Sequence, residues 1–178
     1  MISGQPMSPA RAQAIADSFD LRDLPADFYA NPYPVYDVLR TQSPIKRMPD
    51  RSYFLTRHAD LVAVYRDALT FSSDKKVDEV IGNLLGVPHA NRGPAQFGNP
   101  NVLNLARGDE RLGEPANRHL AFGYGIHQCA GLSLARMEGR IAIGRFLMRF
   151  PHYQLTVAPS RGGRARFRGF LQAPFSIG

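Results

Sequence analysis

The chain has 178 residues, a 44% hydrophobic fraction and a net charge of +7; this length suffices for one domain, and this composition excludes a disordered chain. No stretch approaches the roughly 18 apolar residues of a membrane-spanning helix, and MISGQPMSPARAQAIADSFD has no signal-peptide run, so a soluble, cytoplasmic protein with no membrane partner is expected. All of the excess charge lies in the second part, where residues 101–178 carry 11 Arg against 4 acids while residues 1–100 balance at 11 each.

After a polar leader, Asn31, Pro32 and Pro34 form a helix start, because proline is tolerated where the first-turn amides lack partners. This helix runs through Tyr36 and Leu39 to about Ser43. A short β-hairpin follows, with strands Ile45–Met48 and Tyr53–Leu55 around a turn at Pro49-Asp50-Arg51. Leu61, Val64, Tyr65 and Ala68 recur at helical spacing and predict an amphipathic helix over 58–68. Val77, Val80, Ile81, Leu84 and Leu85 repeat the spacing until Gly86-Val87-Pro88 stops it. Residues 89–118, with Pro94, Pro100, Pro115 and scattered glycines, are largely loop.

The last helix, from about Ala130 to Phe150, is apolar on two opposed faces. One carries Leu132, Ala135, Ala142, Ile143, Phe146 and Phe150; the other carries Leu134, Met137, Ile141 and Met148. Narrow strips separate them, Arg136 with Arg140 and Glu138 with Arg145 and Arg149. Such a helix is expected between two layers. The tail alternates weakly at Tyr153, Leu155 and Val157, then at Phe167, Phe170 and Leu171, which predicts short strands. The fold class is mainly α with small β-hairpins, an α+β arrangement. The basic run Arg161, Arg164, Arg166 and Arg168 has only Phe167 interleaved, a poor platform for stacking bases, so no nucleic acid is expected. A solvated face, an acidic protein partner or an anionic cofactor accounts for it.

The chemistry concentrates in HLAFGYGIHQCAGLSLARME, residues 119–138, which hold the single cysteine. Without a second cysteine there is no internal disulfide, and Cys129 is a buried filler, a reactive thiol or a metal ligand. Its place just before a long helix suits a thiolate, because helix N-terminal amides and the positive end of the dipole stabilise that anion. Gly123, Gly125 and Gly131 let backbone approach a flat ligand closely. His127 is placed to hydrogen-bond an anionic group, and Phe122 offers an apolar lid over the sulfur. The dinucleotide fingerprint fails, since Gln128 stands where glycine is needed and no strand leads in.

Phe122-x-x-Gly125-x-His127-x-Cys129-x-Gly131, followed by Leu134-Ala135-Arg136-x-Glu138, resembles the haem-binding signature of the cytochromes P-450. That resemblance implies haem b, with Cys129 as the axial iron ligand and His127 at a propionate. It also implies that Gly125 and Gly131 clear space for the porphyrin, and that Phe122 shields the sulfur. NPYPVYDVLRTQSPIKRMPDRSYFLTRHADLVAVYRDALTFSSDKK is similar to the first helix, hairpin and second helix of bacterial members, and ANRGPAQFGNPNVLNLAR to the meander before the haem loop. The implied fold is a truncated P-450-like one that keeps the N-terminal helices and hairpin together with the haem loop and its helix. A small organic substrate and an acidic redox partner such as a ferredoxin follow from the same resemblance.

Members of that family are usually much longer chains, and the pattern breaks after Lys76. One truncated domain over 1–178 is expected, built from 1–76, an isolated internal-helix segment at 77–89, and 90–178, with seams near 76–79 and 89–90. The family's acid–threonine pair has no counterpart among Thr41, Thr56, Thr70 and Thr156, and no glutamate has arginine three residues later. Monooxygenation is therefore expected to be impaired. The alternative is a haem-free remnant acting as an interaction module through its arginine-rich face, and self-association or loose order is expected of the chain.

Overall fold

Ser8 opens the first helix, its hydroxyl oxygen accepting the Arg11 amide at 3.4 Å while Pro9 takes the first helical position. The structure, a computed structural model, describes residues 7–71, 90–105, 107, 118–162 and 169–177. The chain divides into two compact units, Met1–His127 and Gln128–Gly178.

In the first unit, α1 (Pro9–Ser18) buries Ala12 and Ala16, one turn apart, and packs on α3 (Tyr33–Gln42). The single turn α2 (Ala26–Ala30) buries Phe28. In α3, Tyr36, Val38 and Leu39 are buried, and Pro34 lies in the first turn, where no intrahelical donor is lost. Antiparallel strands β1 (Ile45–Arg47) and β2 (Tyr53–Leu55) pair Ile45 with Leu55 and Arg47 with Tyr53. The Asp50 carboxylate closes their turn by accepting the Ser52 amide at 3.0 Å and the Ser52 hydroxyl at 2.7 Å, while Arg51 takes a positive φ of 69°. Phe19, Phe28, Tyr36 and Phe54 join these elements through ring centroids 5.2–6.1 Å apart.

Helix α4 (His58–Arg66) buries Leu61 against Leu55, Ala90 and Leu120, with Val62 and Val64 at the margin. Leu120 thereby anchors the start of the glycine-rich loop in the core of the first unit, and each such buried leucine contributes roughly 1.5–3 kcal/mol. His58 holds the same approach from outside, its Nε2 lying 2.7 Å from the Arg118 carbonyl oxygen.

In the second unit, α5 (Leu132–Arg149) is followed by two antiparallel strand pairs, one nested within the other. The outer pair joins β3 (Gln154–Leu155) to β6 (Phe175–Ser176), and the inner joins β4 (Ser160–Arg161) to β5 (Phe170–Gln172). Phe146 gathers the rings of Phe150, Tyr153 and Phe175 at 5.3–5.4 Å and ties helix to tail.

The architecture is mainly α with small antiparallel hairpins, as the hydrophobic spacing predicts. The polar leader, to which hydrophobic spacing assigns no element, contains α1, nucleated by Ser8-Pro9, and α2 is a further turn. The helix predicted over 58–68 ends at Arg66, because Asp67 leaves helical geometry at φ −92° and ψ 77°. Within its own unit α5 does not have the two layers expected of it: none of its residues is buried, and the tail covers only the part around Phe146 and Phe150. The predicted helix at 77–85, the seam near 76–79, residue 89 of the seam near 89–90, and Phe167 lie outside the described residues.

Candidate functional site

The boundary between the two units falls inside the glycine-rich loop, between His127 and Gln128. On the first side, the Gly123 amide returns to the Leu120 carbonyl at 3.0 Å, and Gly123 takes a φ of 73°. Gly125 follows with a φ of 61°, and a Cβ there would stand 3.3 Å from the Tyr65 carbonyl oxygen. Both positions need glycine, because an L side chain is strained at these angles. Gly125–His127 form one 3-10 turn that packs on α4, with the His127 amide donating to the Tyr124 carbonyl at 3.2 Å. The His127 ring stands 6.1 Å from the Tyr65 ring, and the half-buried Phe122 ring 6.2 Å from that of His119.

On the second side, Cys129 is free and exposed, so the buried-filler reading is set aside. Its carbonyl accepts the Leu132 amide at 3.1 Å and thereby opens α5. Gly131 is the N-cap at φ −82° and ψ 4°, a conformation open to any residue. Gly131 thus differs from Gly123 and Gly125, which take positive φ. A Cβ at Gly131 would instead lie 3.7 Å from the Cys129 sulfur, in ordinary contact, so glycine here leaves open space beside the thiol.

The chemistry of the donor set fits haem. One exposed thiol at the amino end of an 18-residue helix supplies a single soft anionic ligand. Among the described residues no three His, Cys, Asp or Glu side chains group to hold a bare metal ion.

Tyr65 and Arg66 of α4 also meet the loop, and spacing gives no sign of them. Arg66 Nη2 donates to the Tyr124 hydroxyl at 2.9 Å, and the guanidinium carbon lies 5.3 Å from the Tyr124 ring centroid. The pair is 58 residues apart in sequence, beyond the reach of any local motif.

The sequence profile of the cytochrome P450 family matches residues 75–166, just over half of the chain, including the loop and α5. The chain belongs to the cytochrome P450 family. It is 48% identical over 75 residues to the polyketide biosynthesis cytochrome P450 PksS of Bacillus subtilis (strain 168), covering 42% of this chain and 17% of that protein. It is 37% identical over 119 residues to cytochrome P450 105C1 of a Streptomyces species, covering 67% of this chain and 29% of that one. Among solved structures, the bacillaene polyketide synthase cytochrome P450 PksS of Bacillus subtilis 168 aligns at 26% identity with a TM-score of 0.44, over 85% of this chain and 36% of that one. The P450 chain thus spans 17% to 29% of the length of these two curated relatives.

Proposed function

We propose that this P450 chain holds haem b through the Cys129 thiolate and is one truncated P450-type domain whose family reaction, monooxygenation of a small organic substrate, is impaired. The observation that carries the reading is a free, exposed thiol at the start of α5, within the stretch that matches the family. The match extends across the His127–Gln128 boundary, which supports reading the loop and α5 as parts of one domain. His127 binds a propionate, Gly125 and Gly131 leave clearance for the macrocycle, and Phe122 keeps water from the sulfur. When bound, haem supplies an iron centre whose thiolate ligand favours cleavage of an O–O bond.

Impairment rests on what the chain's own residues have available. Proton delivery in the family uses an acid–threonine pair. Here the Thr56 hydroxyl is buried and donates to the Pro44 carbonyl at 3.1 Å, and the Thr41 hydroxyl lies 2.9 Å from the Val38 carbonyl. Both are engaged locally by backbone, and neither belongs to such a pair. Arg136, Arg140, Arg145 and Arg149 are exposed on α5, which favours an acidic redox partner of the ferredoxin kind.

The reduced, carbon-monoxide-bound absorption spectrum tests the reading. The Soret band is expected at the red-shifted position of thiolate ligation, and Cys129→Ser is expected to abolish it. A shift retained by the serine variant refutes the ligand. A colourless protein that still binds an acidic partner establishes the interaction-module reading, which the same exposed arginines favour.

A further inference from the structure

We propose that Arg66 is a positioning residue for His127, acting through the Tyr124 side chain. The role of His127 toward a propionate rests on the reading above; the clamp itself does not.

No residue of the 125–127 turn is buried, so hydrophobic packing does not fix it. Consecutive residues at the end of α4 grip it instead. Arg66 makes two contacts with the same ring, a hydrogen bond to the hydroxyl at 2.9 Å and a guanidinium position 5.3 Å from the centroid. Hydroxyl and ring face are thus held by one cation, which restricts the Tyr124 rotamer more than either contact alone. Tyr124 passes that restriction to the backbone, because its carbonyl accepts the His127 amide at 3.2 Å. On the other flank, the Tyr65 carbonyl lies 3.3 Å from where a Gly125 Cβ would stand, and the Tyr65 ring lies 6.1 Å from the His127 imidazole. A change in the Tyr124 rotamer therefore moves the hydrogen bond that sets the His127 backbone, while the Tyr65 contacts resist compensation. The Arg66–Tyr124 contact is exposed, so its part is to narrow a rotamer distribution more than to stabilise the fold.

The test uses the haem-free chain and then haemin titration. Amide hydrogen exchange is read at His127 and, as internal reference, at Leu61 and Leu120. Tyr124→Phe removes the hydroxyl without changing charge, Arg66→Met removes both the cation and the donor, and Arg66→Lys restores a donor to the hydroxyl. Exchange at His127 is expected to quicken about fivefold in the first two variants, the ratio for losing one surface hydrogen bond, and to return toward the parent in Arg66→Lys. Leu61 and Leu120 are expected to keep their protection. Haemin affinity is expected to fall about fivefold in Tyr124→Phe, by the same loss. Unchanged exchange at His127 overturns the clamp, as does equal acceleration at Leu61 and Leu120. Quickened exchange with unchanged haemin affinity overturns the positioning role. A parent protein that takes up no haemin refutes the haem reading separately, and exchange at His127 then decides the clamp alone.

Discussion

The side-chain carbonyl of Asn91 accepts the Leu120 amide at 2.6 Å, joining two segments 29 residues apart where the glycine-rich loop begins. The Leu120 side chain is 1% exposed, so its amide has little access to replacement water. Removing the acceptor leaves a buried donor unsatisfied, which costs about 1–3 kcal/mol. Asn91→Ala is expected to lower the free energy of unfolding by that amount in denaturant titrations, whereas Asn91→Asp keeps an acceptor and loses less. Equal stability of Asn91→Ala and the parent would show that the loop is anchored by the Leu120 side chain alone.

Gly125 and Gly131 differ in what glycine does there, and alanine separates them. Gly125→Ala places a side chain at φ 61° and a Cβ 3.3 Å from the Tyr65 carbonyl, so a loss of about 1–2 kcal/mol is expected even without haem. Gly131→Ala meets neither obstacle, with φ −82° and ordinary contact to the Cys129 sulfur. It is expected to leave haem-free stability within about 0.5 kcal/mol of the parent and to weaken haemin uptake by filling the space beside the thiol. Thermal melts and haemin titrations of the two variants decide; a Gly131→Ala variant that takes up haemin normally removes the clearance role.

Much of this arrangement is legible in the sequence wherever the determinants are local. The Pro32–Pro34 helix start, the Pro49-Asp50-Arg51 turn and the spacing of Leu61 and Val64 each read out within one turn or hairpin. So does the placement of Cys129 just before a long helix. The leader hides α1 because its buried residues are the alanines Ala12 and Ala16, which a search for large apolar spacing passes over, although Ser8-Pro9 is a readable start signal. The grip of Tyr65 and Arg66 on the loop is not legible, since it depends on two segments brought together by the packing of Leu61 on Leu120. The exposure of α5 is likewise tertiary, because its own pattern specifies two apolar faces whatever covers them.

Acid sensitivity is expected in the turn between α1 and α2. Arg22 donates to both Asp20 carboxylate oxygens, at 3.1 and 2.8 Å, and its amide donates at 2.9 Å. These bonds lower the Asp20 pKa from 3.8 to about 2, side-chain bonding being the largest cause. A depressed folded-state value means that the contribution is fully present above the ordinary carboxylate value. It is lost as pH falls through about 2. Asp20→Asn is expected to flatten the melting temperature profile in that window by slightly lowering its neutral-pH end while leaving the acid end unchanged, the loss being small because the pair is open to solvent. A parallel profile for variant and parent would assign acid sensitivity elsewhere.

The uncovered faces of α5 predict how the chain behaves in solution. Leu134, Met137, Ile141, Ile143 and Met148 are 51–77% exposed, while a fully buried side chain of this kind gains roughly 1.5–3 kcal/mol. Partial recovery of that burial across several residues is comparable with the whole stability of a small domain, so self-association is favoured. The same helix carries exposed Arg136, Arg140, Arg145 and Arg149, and two copies brought face to face would repel through them. Salt screens such exposed charges within about 8 Å at physiological strength. Raising salt should therefore strengthen self-association while weakening attraction to an acidic partner, and the opposite signs separate the two surfaces. Light scattering across protein concentrations at low and high salt is the measurement, with Ile141→Glu and Met148→Glu expected to shift the chain toward monomer. Haem, binding only the folded form, should raise the melting temperature with the logarithm of one plus its free concentration over its dissociation constant. A monodisperse monomer at high salt, with a sharp melt unchanged by haem, would show that the exposed faces of α5 are tolerated in water.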